Sequence, residues 1–142
     1  MKNMKALLTK SVIAFIVITG FQCAAAAIAP IFIPLIAAKT WVDESVPPPD
    51  DHHFNFVTVE TPDSNYSNFD GNEHLDSGAI NAFMHFTGFY SNHDIQFTYD
   101  ADAVEGRANK TYKGKINDAS TEITLKGTDA TDPLPAITLI AQ

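Results

Sequence analysis

The chain has 142 residues, a formal net charge of −8, ten Phe, four Tyr and a single cysteine. This length suits one domain, and the aromatic content is too high for a disordered chain. Because an acidic surface repels phosphate groups, the charge argues against nucleic-acid binding and against docking on anionic membrane surfaces. The composition therefore predicts one folded domain whose partner is a neutral or cationic ligand or protein.

The N-terminal segment 1–27 has the three parts of a signal peptide. Its first ten residues carry three lysines, residues 12–21 are mainly apolar, and residues 24–27 are four alanines that suit a signal peptidase. We therefore predict that residues 1–27 are cleaved and that the rest of the chain is secreted, to the cell exterior or the periplasm.

A membrane anchor is the alternative interpretation of this segment. Apolar residues continue almost without interruption to residue 38, and a run of that length can span a bilayer. Pro30 and Pro34 would disrupt a continuous helix, so cleavage is favoured over an uncleaved leader.

Cleavage would leave a cysteine-free chain of stronger acidity. Cys23 lies inside the leader, together with three of the nine cations. The remainder carries six cations against 17 acids, a net charge of −11. Its fold must be held by a hydrophobic core, because no disulfide is available.

The region after the leader is predicted to have two parts. Residues 28–53 form an apolar arm and a Pro-rich linker, since an Ile- and Pro-containing run leads to three consecutive prolines at 47–49. Residues 54–142 form the folded β domain.

Apolar alternation and β-branched or aromatic runs predict the strands of this domain. They cover residues 54–60, 82–90, 95–100, 111–116, 122–126 and 134–141. A helical turn is expected just before residue 82, and the Asn-, Asp-, Ser- and Gly-rich segment 63–77 is expected to be a long polar loop or two short turns. Short turns between the strands predict an all-β fold, a small antiparallel barrel or sandwich of six to eight strands.

The segment 82–101 predicts a hairpin whose loop is residues 91–94. This loop length fixes the cross-strand partners on one apolar face. They are Tyr90 with Ile95, Gly88 with Phe97, and Phe86 with Tyr99.

The other face of this hairpin is polar but flanked by aromatic rings, and it holds the candidate functional residues. The candidate ligand-binding residues are Phe83, Thr87, Phe89, Gln96 and Thr98. His85 is expected opposite Asp100, which makes them the candidate acid/base pair. If this face lines the barrel interior it is a ligand site, whereas on the outside it is a solvated surface with a His–Asp pair; the second arrangement is favoured.

Two groups of residues are candidates for metal binding, although no cofactor is required by the sequence. Hard oxygen donors that suit calcium fall in the predicted loop, without the EF-hand spacing. These donors are Asp63, Asp70, Glu73 and Asp76. The second group is the run Asp50, Asp51, His52 and His53, which could hold zinc or copper only if the fold brings His74, His85 or His93 close.

The function predicted from these features is that of a secreted, acidic β domain that acts as a binding or interaction module outside the cell. No Gly-x-Ser-x-Gly motif and no Gly-rich phosphate loop occurs in the sequence. One alternative is a small β-barrel enzyme of the cyclase or isomerase type that uses His85 and Asp100. Another is a structural surface protein anchored by its leader. Glycosylation sequons begin at Asn65 and Asn109.

Overall fold

The computed structural model describes residues 31–37, 39–47 and 50–142, and the predicted signal peptide at residues 1–27 lies outside them. The described chain forms eight strands. They are β1 (Thr40–Asp43), β2 (Asp51–Val59), β3 (Tyr66–Asp76), β4 (Asn81–Ser91), β5 (Asp94–Tyr99), β6 (Thr111–Ile116), β7 (Glu122–Gly127) and β8 (Ile137–Ala141). Within these ranges no helix is long and apolar enough to cross a membrane.

The eight strands form a closed antiparallel barrel. Each strand pairs with the next along the chain, and β8 returns to pair with β1, where Trp41 lies opposite Ala141 and Val42 opposite Ile140. The predicted all-β antiparallel fold is confirmed, as a barrel and not a sandwich. Closure leaves no strand edge of this sheet unpaired.

The barrel interior is filled largely by aromatic side chains. Residues of a β-strand alternate between the inside and the outside of a barrel, and most inward positions here carry large apolar residues. The largest fully buried rings are those of Trp41, Phe54, Phe86, Tyr90, Phe97, Tyr99 and Tyr112. At the centre, the rings of Phe86 and Phe97 stack with their centroids 4.3 Å apart. These rings occupy the space that a ligand would need in a barrel of this size.

Two glycines on inward-facing positions make room for these rings. A Cβ at Gly71 would lie 2.6 Å from Cε2 of Phe86, and a Cβ at Gly88 would lie 2.6 Å from Cβ of Phe97. Distances this short cannot be relieved without moving the rings or the backbone. The absence of a side chain at these two positions therefore allows the strands to close around the aromatic core.

The predicted polar loop over residues 63–77 is wrong, since most of it is strand β3. This 11-residue strand pairs along its length with β2 and with β4. Its alternation is hard to see because the inward positions hold polar or small residues as well as apolar ones: Ser67, Phe69, Gly71, Glu73 and Leu75. The predicted helical turn before residue 82 is also absent, and residues 77–80 form a tight turn closed by the bond from Ser77 N to Ile80 O (2.9 Å).

The segment 28–53 contributes to the barrel. Strand β1 and the start of β2 lie within it. Before β1, the arm packs against the barrel: Ile36 is buried, and its carbonyl accepts a hydrogen bond from Trp41 Nε1 at 3.0 Å. Leu35 N donates to Ser120 Oγ at 3.2 Å, so the arm is tied to the β6–β7 turn.

Candidate functional site

The hairpin of β4 and β5 has the predicted register, and its polar face lies on the outside of the barrel. Phe86 pairs with Tyr99, Gly88 with Phe97, and Tyr90 with Ile95. On the outer face, His85 Nδ1 lies 2.9 Å from Asp100 Oδ2. The two side chains are 48% and 44% exposed, so this candidate acid/base pair sits in solvent and not in a closed pocket.

Four of the predicted ligand-binding residues line one groove on this outer face. The groove has a volume of about 480 Å³ and is open to solvent along β3, β4 and β5. The predicted residues that line it are Thr87, Phe89, Gln96 and Thr98. Phe83 lies outside the groove and stacks on His74, with ring centroids 4.2 Å apart.

The groove is acidic, with one aromatic wall. Glu60, Asn68 and Asp70 complete its polar lining, and no Lys or Arg is among the described residues that line it. Asn68 Nδ2 donates to Glu60 Oε2 at 2.8 Å, which restricts the position of this carboxylate. Phe89, 38% exposed, supplies the aromatic wall. The groove can therefore accept a group that combines positive charge with an apolar or planar portion.

The barrel also contains a buried ionic cluster that sequence reasoning did not identify. Glu73 points inward and is fully buried. Its Oε1 lies 2.5 Å from His52 Nε2, its two oxygens lie 2.9 and 2.7 Å from Arg107 Nε, and Oε2 accepts the hydroxyl of Tyr99. On the other side of the ring, His52 Nδ1 lies 3.0 Å from Asp43 Oδ2.

Hydrogen bonding in this cluster decides the charge state of Glu73. Burial by itself would raise the pKa of Glu73, but the hydrogen bonds from His52 and Arg107 outweigh it and lower the pKa below its usual value. Burial and the adjacent Glu73 charge together raise the pKa of Tyr99, which stays a hydrogen-bond donor. Three protein donors already bind the two oxygens of Glu73: His52, Tyr99, and Arg107 Nε, whose single N–H is shared between both oxygens. The cluster is therefore suited to holding the barrel together.

The structure does not bring the candidate calcium ligands together. Asp70 and Asp76 both point outward from β3, but they lie six residue steps apart along the strand, a distance of about 20 Å. Glu73 points to the opposite face of the same strand, into the barrel. Asp63 lies in the turn between β2 and β3, outside both strands.

Two residues of the run from Asp50 to His53 lie close to a third potential metal ligand: Asp51 and His53 lie beside His74. His53 and His74 are cross-strand partners of β2 and β3, and Asp51 lies two residues before His53 on the same outer face. Their potential ligand atoms all lie within 4.8 Å of one another. His52 is not part of this group, because it points inward to the ionic cluster.

The chain matches no protein-family model, and no curated protein and no solved structure is significantly similar to it. The geometry therefore defines the structural class of the protein but assigns the chain to no family. The class is that of a small antiparallel eight-stranded barrel with a side-chain-filled interior and an acidic groove on its outer wall.

Proposed function

We propose that this protein is an exported binding module that holds a small organic cation, an amine or a guanidine, in the groove on its outer wall. One contrast within the structure supports this function. The barrel interior is filled by aromatic rings, whereas Thr87, Phe89, Gln96 and Thr98 line an open acidic groove outside it. Export is inferred from the leader and not from the barrel.

The groove offers complementary chemistry to each part of such a ligand. Glu60 and Asp70 supply carboxylates for an ammonium or guanidinium group. The ring of Phe89 supplies a face for cation–π contact and for apolar packing. The amide of Gln96 can accept or donate further hydrogen bonds.

The wider charge distribution favours the same ligand class. From residue 40 to residue 106 the sequence has no Lys or Arg but has 13 of the 17 acids. This stretch forms strands β1 to β5, which include the groove. Its negative field attracts cations and speeds their encounter with the groove.

Binding is better supported than catalysis by the position of the His85–Asp100 pair. A general acid or base works best where water is excluded and the substrate is held against it. Both side chains are nearly half exposed on a convex sheet surface. Their exposure suits a surface contact better than an acid/base step.

NMR titration with spermidine and with arginine amide tests the proposed function. The backbone amide signals of Thr87, Gln96 and Thr98 should shift together and saturate. Phe89→Ala should weaken binding by about two- to fivefold, as expected for loss of an exposed cation–π contact, and Asp70→Asn should weaken it as well. Asp102→Asn removes the same charge outside the groove and is the matched control. Shifts that map elsewhere, or an equal loss in the control, would refute the proposal.

A further inference from the structure

The second outer-face feature is a cluster of two histidines and one aspartate on strands β2 and β3. His53 Nδ1 lies 3.0 Å from Asp51 Oδ1, and His74 Nδ1 lies 3.7 Å from Asp51 Oδ2. The imidazole rings of His53 and His74 meet edge to face, with centroids 4.8 Å apart. We propose that Asp51, His53 and His74 bind a divalent transition-metal ion, Zn²⁺ in particular, independently of the ligand groove.

The spacing of the three side chains fits a single ion. A Zn²⁺ ion holds nitrogen and oxygen ligands at about 2.0–2.2 Å in a tetrahedron, which places the ligand atoms about 3.4 Å apart. The observed distances, 3.0 Å from His53 to Asp51 Oδ1 and 3.7 Å from His74 to Asp51 Oδ2, lie on either side of this value. All three ligand atoms lie within 4.8 Å of one another, so side-chain rotations that shorten the longest separation would bring them onto one ion.

A chain of hydrogen bonds prepares His74 as a ligand. Asn81 Nδ2 donates to Asp76 Oδ2 at 3.3 Å, which turns Asn81 Oδ1 toward His74 Nε2 at 3.4 Å. His74 Nε2 is then the protonated nitrogen, and Nδ1 carries the lone pair that a metal needs. Orientation of a metal-binding histidine through its other nitrogen is the usual arrangement in metal sites.

The Nδ1 atom of His74 lacks any other partner. It is shielded from solvent and makes no hydrogen bond with the described residues. An unpaired buried polar atom costs free energy, and a metal ion at this point would remove that cost. Phe83 stacks on the His74 ring at an interplanar angle of 18° and restricts its rotation.

The ligand set indicates which ions would bind. Two imidazoles with one carboxylate suit Zn²⁺ and Cu²⁺, whereas Ca²⁺ and Mg²⁺ prefer oxygen ligands only. Asp51 is 52% exposed, so a solvent molecule can complete the coordination from outside. Three protein ligands with one open position resemble exchangeable zinc sites more than closed structural ones.

Isothermal titration calorimetry with ZnCl₂ on the metal-stripped protein tests the site. We expect one Zn²⁺ per chain and no heat of binding from CaCl₂. His53→Ala and His74→Ala should each lower the Zn²⁺ affinity by at least about tenfold, and Asn81→Ala should lower it by about 10–100-fold, as loss of an outer-shell partner does.

The matched control is His93→Ala, since His93 is also partly exposed and also contacts a carboxylate, Asp118 at 2.8 Å. Its Zn²⁺ affinity should equal that of the wild type. His53→Ala and Asp51→Asn alter partly or half-exposed surface residues, so they keep the test valid if His74→Ala weakens the fold. Absence of stoichiometric binding, binding that survives either histidine substitution, or an equal loss in His93→Ala would each overturn the proposal.

Discussion

Arg107 binds Glu73 with its Nε 2.9 and 2.7 Å from the two carboxylate oxygens, and this ion pair joins the β5–β6 loop to the inside of strand β3. The Arg107 side chain is only 11% exposed and that of Glu73 is fully buried. Removal of two charges from water is costly, so each partner depends on the other for stabilisation. The pair fixes the loop at one end of the barrel.

Arg107→Met should therefore lower the free energy of unfolding by about 3–5 kcal/mol, because it leaves the Glu73 carboxylate buried without its cation. Lys110→Met is the matched control, since Lys110, whose side chain is 17% exposed, pairs with Asp132, whose side chain is 81% exposed. This pair is open to solvent on the Asp132 side and should contribute about 0–1 kcal/mol. Urea unfolding of the two variants gives the comparison. Equal losses of unfolding free energy in the two variants would contradict the prediction that the buried pair contributes more stability than the Lys110–Asp132 pair.

The β4–β5 hairpin could be predicted from sequence because both of its strands carry a clear two-residue alternation. With apolar residues at Phe86 and Tyr90 on one strand and at Phe97 and Tyr99 on the other, one register gives a common buried face. The turn is also locally encoded, since Asn92 adopts a φ of 52°, which Asn tolerates better than most residues. His85 and Asp100 then follow as outer-face neighbours.

Strand β3 could not be predicted in the same way. Its inward face includes Glu73, which is stabilised there by distant partners: His52 and Tyr99 on other strands, and Arg107 from 34 residues further along the chain. No local signal shows that a glutamate will be paired inside a barrel. The position of His74 beside His53 was hidden for the same reason, because their pairing requires β3 to be recognised as a strand.

Gly88→Ala should destabilise the barrel by about 1–3 kcal/mol, the usual cost of overpacking. The new Cβ would lie 2.6 Å from Phe97 Cβ and would also collide with the carbonyl oxygen of Gln96, so β4 and β5 must move apart. Thr87→Ala, at the preceding and outward-facing position, is the control and should change stability by at most about 0.5 kcal/mol. Thermal melting distinguishes them. A Gly88→Ala protein as stable as the control would mean that the barrel accommodates a Cβ at residue 88 without loss of packing.

Asp100→Asn should lower stability by only about 0.2–1 kcal/mol, because the pair that Asp100 forms with His85 is exposed. The difference from the wild type should shrink in high salt, since salt screens exposed charges. Urea unfolding at low and high ionic strength measures both effects. A loss of stability that is larger than this range and insensitive to salt would contradict the prediction. It would indicate that the His85–Asp100 pair stabilises the hairpin more than an exposed ion pair usually does.

Tyr112 should make stability fall at alkaline pH. Its hydroxyl donates to Pro135 O at 3.0 Å, and burial raises its pKa far above the usual value of about 10, although the Arg107 charge opposes the rise. The unfolded chain therefore loses this proton near pH 10 while the folded chain keeps it. The stabilisation is complete below about pH 10 and declines as the pH rises toward the pKa that Tyr112 has in the folded protein.

Tyr112→Phe should cost about 0.5–1.5 kcal/mol of stability at neutral pH through the lost hydrogen bond, but the stability of this variant should decline less steeply above about pH 10. Tyr66→Phe, at a half-exposed ring, should retain the wild-type decline. Urea unfolding at neutral pH and at several pH values above 9 compares the three proteins, and parallel declines in all of them would contradict the assignment to Tyr112.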